Sequence, residues 1–325
     1  MTTRVIVLTW NGRAWLDGCL AALAAQTRPP TEVVVVDNAS TDDSVRHLET
    51  RWPNVRVIAL PSNVGFAAGN NRGAEDAATD CLVFLNNDTV VEPGWLDALV
   101  RAAGADAGRG LVTSKIVYLD QPDVVDSAGD GYLRCGGGFK YGHGEPVSGW
   151  HQSREVFGAC GAAFLIRRTL FQELGGFDES FFVVYEDVDL SYRAQLRGAR
   201  VWYAADAVVR HAGSASMGRV SDLAVYCGQR NLEWTWLKNT PGRLLWRSLP
   251  AHLAYTAAGA VGYLRQGRFG PWLLGKWAAA RGIGRIWRAR GRAPAATAAD
   301  RDRVWALMER DWISRKRAEK RFDFR

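Results

Sequence analysis

The chain has 325 residues, 47% of them hydrophobic, and a formal net charge of +7. That length holds one large domain with an appendage, and the composition excludes a disordered or fibrous chain. Five scattered cysteines without a C-x-x-C pair argue against a disulfide framework or a structural zinc site and fit a reducing compartment.

The start, MTTRVIVLTWNG, runs directly into a strand-like stretch and lacks a signal-peptide layout. Strands are expected at residues 4–9, 32–36, 55–60 and 81–85, with helices at 13–25, 43–51 and 67–78 between them. Such alternation with short connections implies parallel strands joined by right-handed crossovers. Further on, 111–118 reads as a strand. The glycine-rich run 126–149 reads as a long loop or hairpin, one that covers an acceptor or simply packs. Residues 158–167 give a turn of small residues and a strand, and 169–174 a short helix. Residues 177–185 lead into a helix starting at Glu186-Asp187. Residues 200–203 form a strand, and 208–216 hold His211.

Beyond residue 240 the character changes. Residues 241–325 carry 19 Lys and Arg against 6 Asp and Glu, and six of the 14 tryptophans. The preceding 240 residues carry 22 against 28, so a mildly acidic body bears a basic tail. Residues 244–264 are apolar but interrupted by Arg247, Pro250 and His252, which favours an interfacial or core helix over a spanning one. Residues 267–292 interleave Trp with Arg. They read as an amphipathic helix in a lipid headgroup region, or as a helix packing its tryptophans on the domain. Residues 300–325 read as one charged helix with a frayed end. A basic tail of this kind also suits nucleic acid, the lesser reading here.

The run GPWLLGKW at 270–277 imitates a phosphate loop but lacks both the hydroxyl residue after Lys276 and a preceding strand. No G-x-G-x-x-G follows the first strand, and no G-x-S-x-G occurs. What remains is a set of polar groups at strand ends: Thr9-Trp10-Asn11, Asp37-Asn38 and Asn86-Asn87-Asp88, with Glu186-Asp187 and His211 downstream. Open α/β sheets hold ligands at such ends. Trp10 suits packing on a nucleotide base, Asp37 accepting a base N–H, and Asp88 binding a metal on a diphosphate. Singly, each strand-end Asp is more often a turn former or helix cap.

These residues carry a resemblance. VLTWNG (7–12), VVVVDNASTDDS (33–44), NVGFAAGNNRG (63–73), FLNNDTVVEPGW (84–95), FGACGAAFLIRR (157–168), GGFDESFFVVYEDVDLSYRAQLRG (175–198) and VVRHAGSAS (208–216) form an ordered series. Over residues 1–240 it resembles the inverting family 2 glycosyltransferases, most closely rhamnosyltransferase-like members. The resemblance implies a GT-A fold, an α/β Rossmann-like and mostly parallel sheet flanked by helices. Here it would carry a basic helical extension at 241–325.

The resemblance assigns Thr9, Trp10 and Asp37 to base and ribose contacts, and places Asn70, Asn71 and Arg72 near the nucleotide, with Asn11, Asn38 and Asn87 beside them. It makes Asp88 the last member of a D-x-D metal motif and Asp187 the general base, with Glu186 its rival. His211 takes a position that completes the metal site in some members, and Asn86 is then an orienting or outer-shell group. A divalent cation is implied; a nitrogen ligand tilts the choice from Mg²⁺ towards Mn²⁺. Gly158, Ala159, Cys160 and Gly161 are expected to form an acceptor-side wall.

The implied reaction is inverting transfer of a sugar, dTDP-L-rhamnose being the suggested donor, to a lipid-linked or polysaccharide acceptor. The expected location is the inner face of the plasma membrane, held peripherally. A sugar-nucleotide-binding protein without turnover is disfavoured by the intact Glu186-Asp187 pair. A nucleotidyltransferase is disfavoured because residues 7–14 lack a glycine- and base-rich loop.

Overall fold

Seven elements alternate as the sequence predicts: β1 (Thr3–Thr9), α1 (Arg13–Ala24), β2 (Glu32–Asp37), α2 (Ser44–Arg51), β3 (Arg56–Ala59), α3 (Gly65–Ala74) and β4 (Cys81–Asn86). The computed structural model describes residues 1–213, 221–292 and 296–323. Positions 214–216 of the stretch around His211, and 324–325 of the last expected helix, lie outside the described residues. The first four strands pair in parallel in the order β4-β1-β2-β3. Register aligns their ends: Thr9 lies beside Asp37, and Leu8 beside Asn86.

Then come β5 (Thr89–Val91), α4 (Trp95–Gly104), β6 (Arg109–Tyr118), β7 (Val125–Ser127), β8 (Asp130–Tyr132), β9 (Gly138–Lys140), β10 (Arg154–Val156) and β11 (Ala163–Arg167). After them follow α5 (Arg168–Glu173), α6 (Glu186–Leu196), β12 (Arg200–His211) and α7 (Asp222–Asn239). The sheet continues from β4 through antiparallel β11 to β6, β12 and β10. It is therefore parallel in its first half and mixed in its second, and most of its paired residues are in parallel ladders, as expected. The strand expected at 200–203 runs on to His211 as β12, whose pairing with β6 shifts register between Ala204 and Val208. The run 126–149 folds around the hairpin β8–β9.

Alternation along the strands splits the core in two. Val5 and Val7 meet Leu16 and Leu20 of α1 and Trp95 and Leu99 of α4. Ile6 and Phe84 meet Ala67 of α3, Phe171 of α5 and Leu190 of α6. Each such fully buried apolar side chain contributes roughly 1.5–3 kcal/mol relative to exposure. Packing therefore holds helices as short as α1, which isolated segments of that length would not sustain.

The tail forms α8 (Gly242–Arg265), α9 (Phe269–Arg292), α10 (Ala298–Leu307) and α11 (Trp312–Asp323). α9 lies along α7, with Trp234 Nε1 donating to the Ala279 carbonyl at 3.1 Å. α10 docks on α6: Val304 and Met308 join Tyr132, Phe157 and Tyr192, and Arg303 donates to the Gln195 carbonyl at 2.9 Å. The single helix expected over 300–325 is interrupted because its backbone pairs with the hairpin instead. Glu309 N donates to the Tyr132 carbonyl at 3.0 Å, and Arg134 N to the Glu309 carbonyl at 2.9 Å. Among the described residues no helix is long and apolar enough to cross a membrane. All five cysteines are free and buried.

Candidate functional site

The strand ends build a donor-side shelf. Asp37 is buried; its Oδ2 accepts from Ser40 N at 2.9 Å, and its Oδ1 is buried with no partner. An unsatisfied buried carboxylate oxygen costs free energy unless a ligand donates to it. Trp10 is 45% exposed beside it on the next strand end. Thr9 and Asn87 bond to each other, Asn87 Nδ2 donating to Thr9 Oγ1 at 2.9 Å. Gly12 closes over this pair so tightly that a Cβ there would stand 1.8 Å from Asn87 Nδ2.

Several expected nucleotide contacts are committed elsewhere. Asn11 donates its N–H to Ser40 Oγ at 2.8 Å and accepts from Thr41 N at 2.7 Å, stitching two loops together. Asn38 bonds Asn63, Val64 and Gly65. Asn70 is buried and donates to the Phe66 carbonyl of its own helix. Asn71 donates to the Phe177 carbonyl at 2.9 Å and accepts from Phe177 N at 2.9 Å, tying α3 to the segment before α6. Arg72 lies on the exposed side of α3, paired with Glu75. Asn38, Asn70, Asn71 and Arg72 thus each have a protein partner.

Asp88 follows β4, and His211 ends β12. His211 Nε2 stands 3.3 Å from Asp88 Oδ1, and its Nδ1 2.9 Å from Asp126 Oδ2. Asp126 Oδ1 accepts from Lys140 Nζ at 2.7 Å. Burial works against charge on His211, but its bonds to Asp126 and Asp88 outweigh it and lift the imidazole to about 9. Burial likewise opposes charge on Asp126, yet Lys140, His143 and His211 hold its carboxyl well below the usual range.

Among the described residues no three His, Cys, Asp or Glu side chains converge as a complete metal site. Asp88 and His211 nevertheless fit part of one. Two ligands about 2.1 Å from a small cation stand roughly 3 Å apart, near the 3.3 Å observed. The carboxylate on the far ring nitrogen is the usual outer-shell partner that fixes a ligand histidine. Asn86 is partly buried at the strand end, and its carbonyl accepts from Thr89 Oγ1 at 2.6 Å.

α6 presents its first turn to the loop at Gly161. Asp187 is partly exposed; Oδ2 accepts from Gly161 N at 2.8 Å and Oδ1 from Val188 N at 2.7 Å. Glu186 is 5% exposed, and its Oε2 is buried without a partner. Accessibility thus separates the two rivals in favour of Asp187. Burial pushes Asp187 above the usual carboxylate range, against the pull of the Gly161 and Val188 N–H groups. The helix terminus favours its ionised form by only about 0.3–1 kcal/mol when exposed, less than this desolvation. Burial and the Asp187 charge push both Glu186 and Asp130 well above their ordinary values. Asp189, fully buried, bonds Arg193 at 2.8 Å and Asn239 at 2.8 Å, a structural pairing.

The segment 158–161, expected as an acceptor-side wall, is buried. Gly158 N pairs with the Asp130 carbonyl, Ala159 N with Ser191 Oγ, Cys160 N with Thr113 Oγ1 and Gly161 N with Asp187. A Cβ on Gly161 would lie 2.9 Å from Asp187 Oδ2, so the glycine leaves room for that carboxylate. Residues 126–140 connect both halves: Asp126 meets His211, Lys140 meets Asp126, and the Lys140 charge also acts on Asp130 and Asp187.

The turn before α6 is strained. Phe182, Val184 and Tyr185 have φ of 64°, 68° and 76°, each costing about 1–3 kcal/mol. Asn231 of α7, fully buried, places Nδ2 at 2.9, 2.9 and 2.6 Å from the carbonyls of Phe181, Val183 and Val184. Phe182 O accepts from Phe66 N at 2.6 Å. Sequence reading missed Asp126, Asp130, Lys140 and Asn231. The two acids inside DSAGD were the available signal for the first pair.

The model of "Glycosyl transferase family 2" matches residues 4–175. The chain is 30% identical over 238 residues to N-acetylglucosaminyl-diphospho-decaprenol L-rhamnosyltransferase of Mycobacterium tuberculosis, covering 66% of this chain and 77% of that one. The fold matches S. aureus TarS in complex with UDP-GlcNAc, with a TM-score of 0.59, 20% identity, and coverage of 95% and 84%. It also matches GalNAc-T7 with UDP, GalNAc and Mn²⁺, with a TM-score of 0.59, 16% identity, and coverage of 72% and 48%. Both likenesses give the GT-A fold. The chain belongs to glycosyl transferase family 2 and is a glycosyltransferase.

Proposed function

We propose that this glycosyltransferase moves a hexose from a nucleoside-diphosphate donor with inversion at the anomeric carbon, the donor being dTDP-L-rhamnose. The acceptor is a lipid-linked or polysaccharide sugar in cell-envelope glycan synthesis, met at the inner face of the plasma membrane. A rhamnosyltransferase named for a decaprenol-linked acceptor stands among its relatives. The observation that carries the reading is Asp187: the accessible carboxylate of its pair, aimed by two backbone N–H groups and joined to His211 through residues 126–140. Residues 1–240 serve as the catalytic unit and 241–325 as the membrane-associating extension.

In this reading Asp37 Oδ1 accepts the base N–H and Trp10 stacks on the base. Asp88 and His211 hold Mn²⁺ or Mg²⁺, with Asn86 orienting the strand end; a bound cation neutralises charge gathering on the leaving diphosphate. Asp187 takes the proton of the acceptor hydroxyl as its oxygen attacks the anomeric carbon, and nucleoside diphosphate departs from the opposite face. No covalent enzyme intermediate is required. Release of nucleoside diphosphate across a donor panel tests this. Asp187→Asn should lower release by a thousandfold or more with the thermal midpoint retained, Asp88→Ala should remove metal dependence, and NMR should show an inverted anomeric centre. An active Asp187→Asn variant or a retained anomer overturns the reading.

A further inference from the structure

Residues 242–292 contain ten Lys and Arg and no Asp or Glu. Of the 24 residues of α8, only Leu245, Ser248 and His252 are buried. Its exposed residues include a line of apolar ones. Trp246, Leu253, Ala257 and Leu264 recur at spacings of seven, four and seven, which places them along one line of a helix roughly 36 Å long. Trp246 is 68% exposed and Leu264 62%. On α9, Leu273, Trp277, Ala280 and Trp287 form a second line, with Trp277 57% exposed.

The domain-facing side of α9 is occupied separately. Trp272, Ala279 and Ile286 are buried, and Gly275 and Gly282 sit against the Tyr226 carbonyl and the Trp234 ring. Packing on the domain therefore accounts for Trp272 but not for Trp277 or Trp287. Exposed apolar residues scattered singly mean little; contiguous lines of them mark an interaction surface. Arg281 lies over the Trp277 ring at 4.5 Å, so cations and aromatics share the outer side.

The charge selects the occupant. A second copy would set one cationic face against another. Nucleic-acid interfaces are polar, which suits neither these leucines nor the alanines between them. Tryptophan and leucine flanked by arginine suit the boundary between headgroups and acyl chains of an anionic bilayer. We infer that the outer sides of α8 and α9 are a docking surface for an anionic lipid bilayer. Trp246, Leu253, Leu264, Trp277 and Trp287 enter the headgroup–acyl boundary, and Arg247, Arg281 and Arg288 meet lipid phosphates. For its purpose, though not its chemistry, this surface rests on the lipid-linked acceptor reading.

Flotation of the 325-residue protein with vesicles tests it. The protein should float with equimolar phosphatidylglycerol and phosphatidylcholine, and at least tenfold less with phosphatidylcholine alone or in 0.5 M salt. The variant Trp246→Ser/Leu264→Ser/Trp277→Ser/Trp287→Ser alters exposed positions, so its circular dichroism and thermal midpoint should hold while binding falls tenfold or more. Arg281→Glu/Arg288→Glu should fall similarly. Nucleoside diphosphate release onto a soluble acceptor analogue should be unchanged in both. Wild-type protein that ignores anionic vesicles, variants that float like wild type, or a dimer that the serine variant dissolves would each overturn the surface. Release without flotation defeats this inference and spares the enzyme reading; flotation without release from any donor does the reverse.

Discussion

The two halves of the site are built in opposite ways. On the donor side, Thr9 and Asp37 end neighbouring parallel strands and Asp88 lies in the turn just past the end of a third, so sheet register brings their chain segments together. On the base side, Asp187 depends on Gly161 from a distant loop, lies by Asp130 of the hairpin, and follows a strained turn held from α7 by Asn231. The first half needs only a sheet, whereas the second needs four segments to meet. Damage should therefore appear as weaker donor binding on one side and as slower chemistry on the other.

Among the residues that support Asp187, Gly161→Ala gives the largest expected effect. The added Cβ would approach Asp187 Oδ2 to 2.9 Å and displace the base by a few tenths of an ångström or more. A displacement approaching 1 Å costs about a hundredfold in kcat. Steady-state kinetics should show that loss with donor KM within twofold. A raised donor KM at unchanged kcat would break the division between halves.

Asp37→Asn probes the other side. It removes a charged acceptor whose Oδ1 has no protein partner. Hydrogen bonds to charged groups contribute roughly 1.5–3 kcal/mol, so donor KM should rise at least tenfold. The kcat should stay within about twofold, measured at saturating donor.

These halves were unequally legible in the sequence. Thr9, Asp37 and Asp88 stood out because each ends a short apolar run, and parallel order follows from alternation. Asp126, Asp130 and Lys140 were hidden because hairpin placement is non-local and glycine-rich stretches carry no periodicity. α7 escaped because Val225, Cys227, Leu232, Trp234 and Trp236 bury it on several sides, erasing the one-sided stripe that marks a surface helix. α4 was readable in principle: Trp95, Leu96, Leu99, Val100 and Ala103 have helical spacing. Asn71 was ambiguous because an asparagine after a strand-helix turn serves a ligand or a neighbouring loop equally well, and its bonds to Phe177 are a tertiary contact that sequence does not reveal.

Asn231→Ala sharpens the comparison with a smaller effect. Without its donors, three carbonyls of the turn lose a shared partner, and Asp187 is less well placed. A roughly fivefold fall in kcat with unchanged donor KM is expected, and Asn231→Ser, which keeps a donor, should recover part of it. The acid side of the pH profile supplies an independent readout. Burial raises Asp187, so kcat/KM should fall, as pH drops, through a value above the ordinary carboxylate range near 3.9. That limb belongs to Asp187 coupled with Glu186 and Asp130, and a merely destabilised variant would leave it in place.

The smallest effect on catalysis is expected at Glu233, which joins α7 to the tail. Its Oε2 stands 2.8 Å from His252 Nε2, and Oε1 pairs with Lys276. Burial works to raise this carboxyl, but His252 and Lys276 outweigh it and hold it at about 2, against an ordinary 4.5. A depressed folded value means the stabilisation is complete above pH 4.5 and is lost as pH falls through 2. It amounts to roughly 3 kcal/mol at neutral pH. Glu233→Gln should therefore lower the thermal midpoint by several degrees at pH 7, with the deficit shrinking below pH 4.5, while kcat stays within twofold. A parallel loss of kcat would mean that the base-side turn depends on α8 and α9 through α7, extending the assembled half of the site from four segments to six.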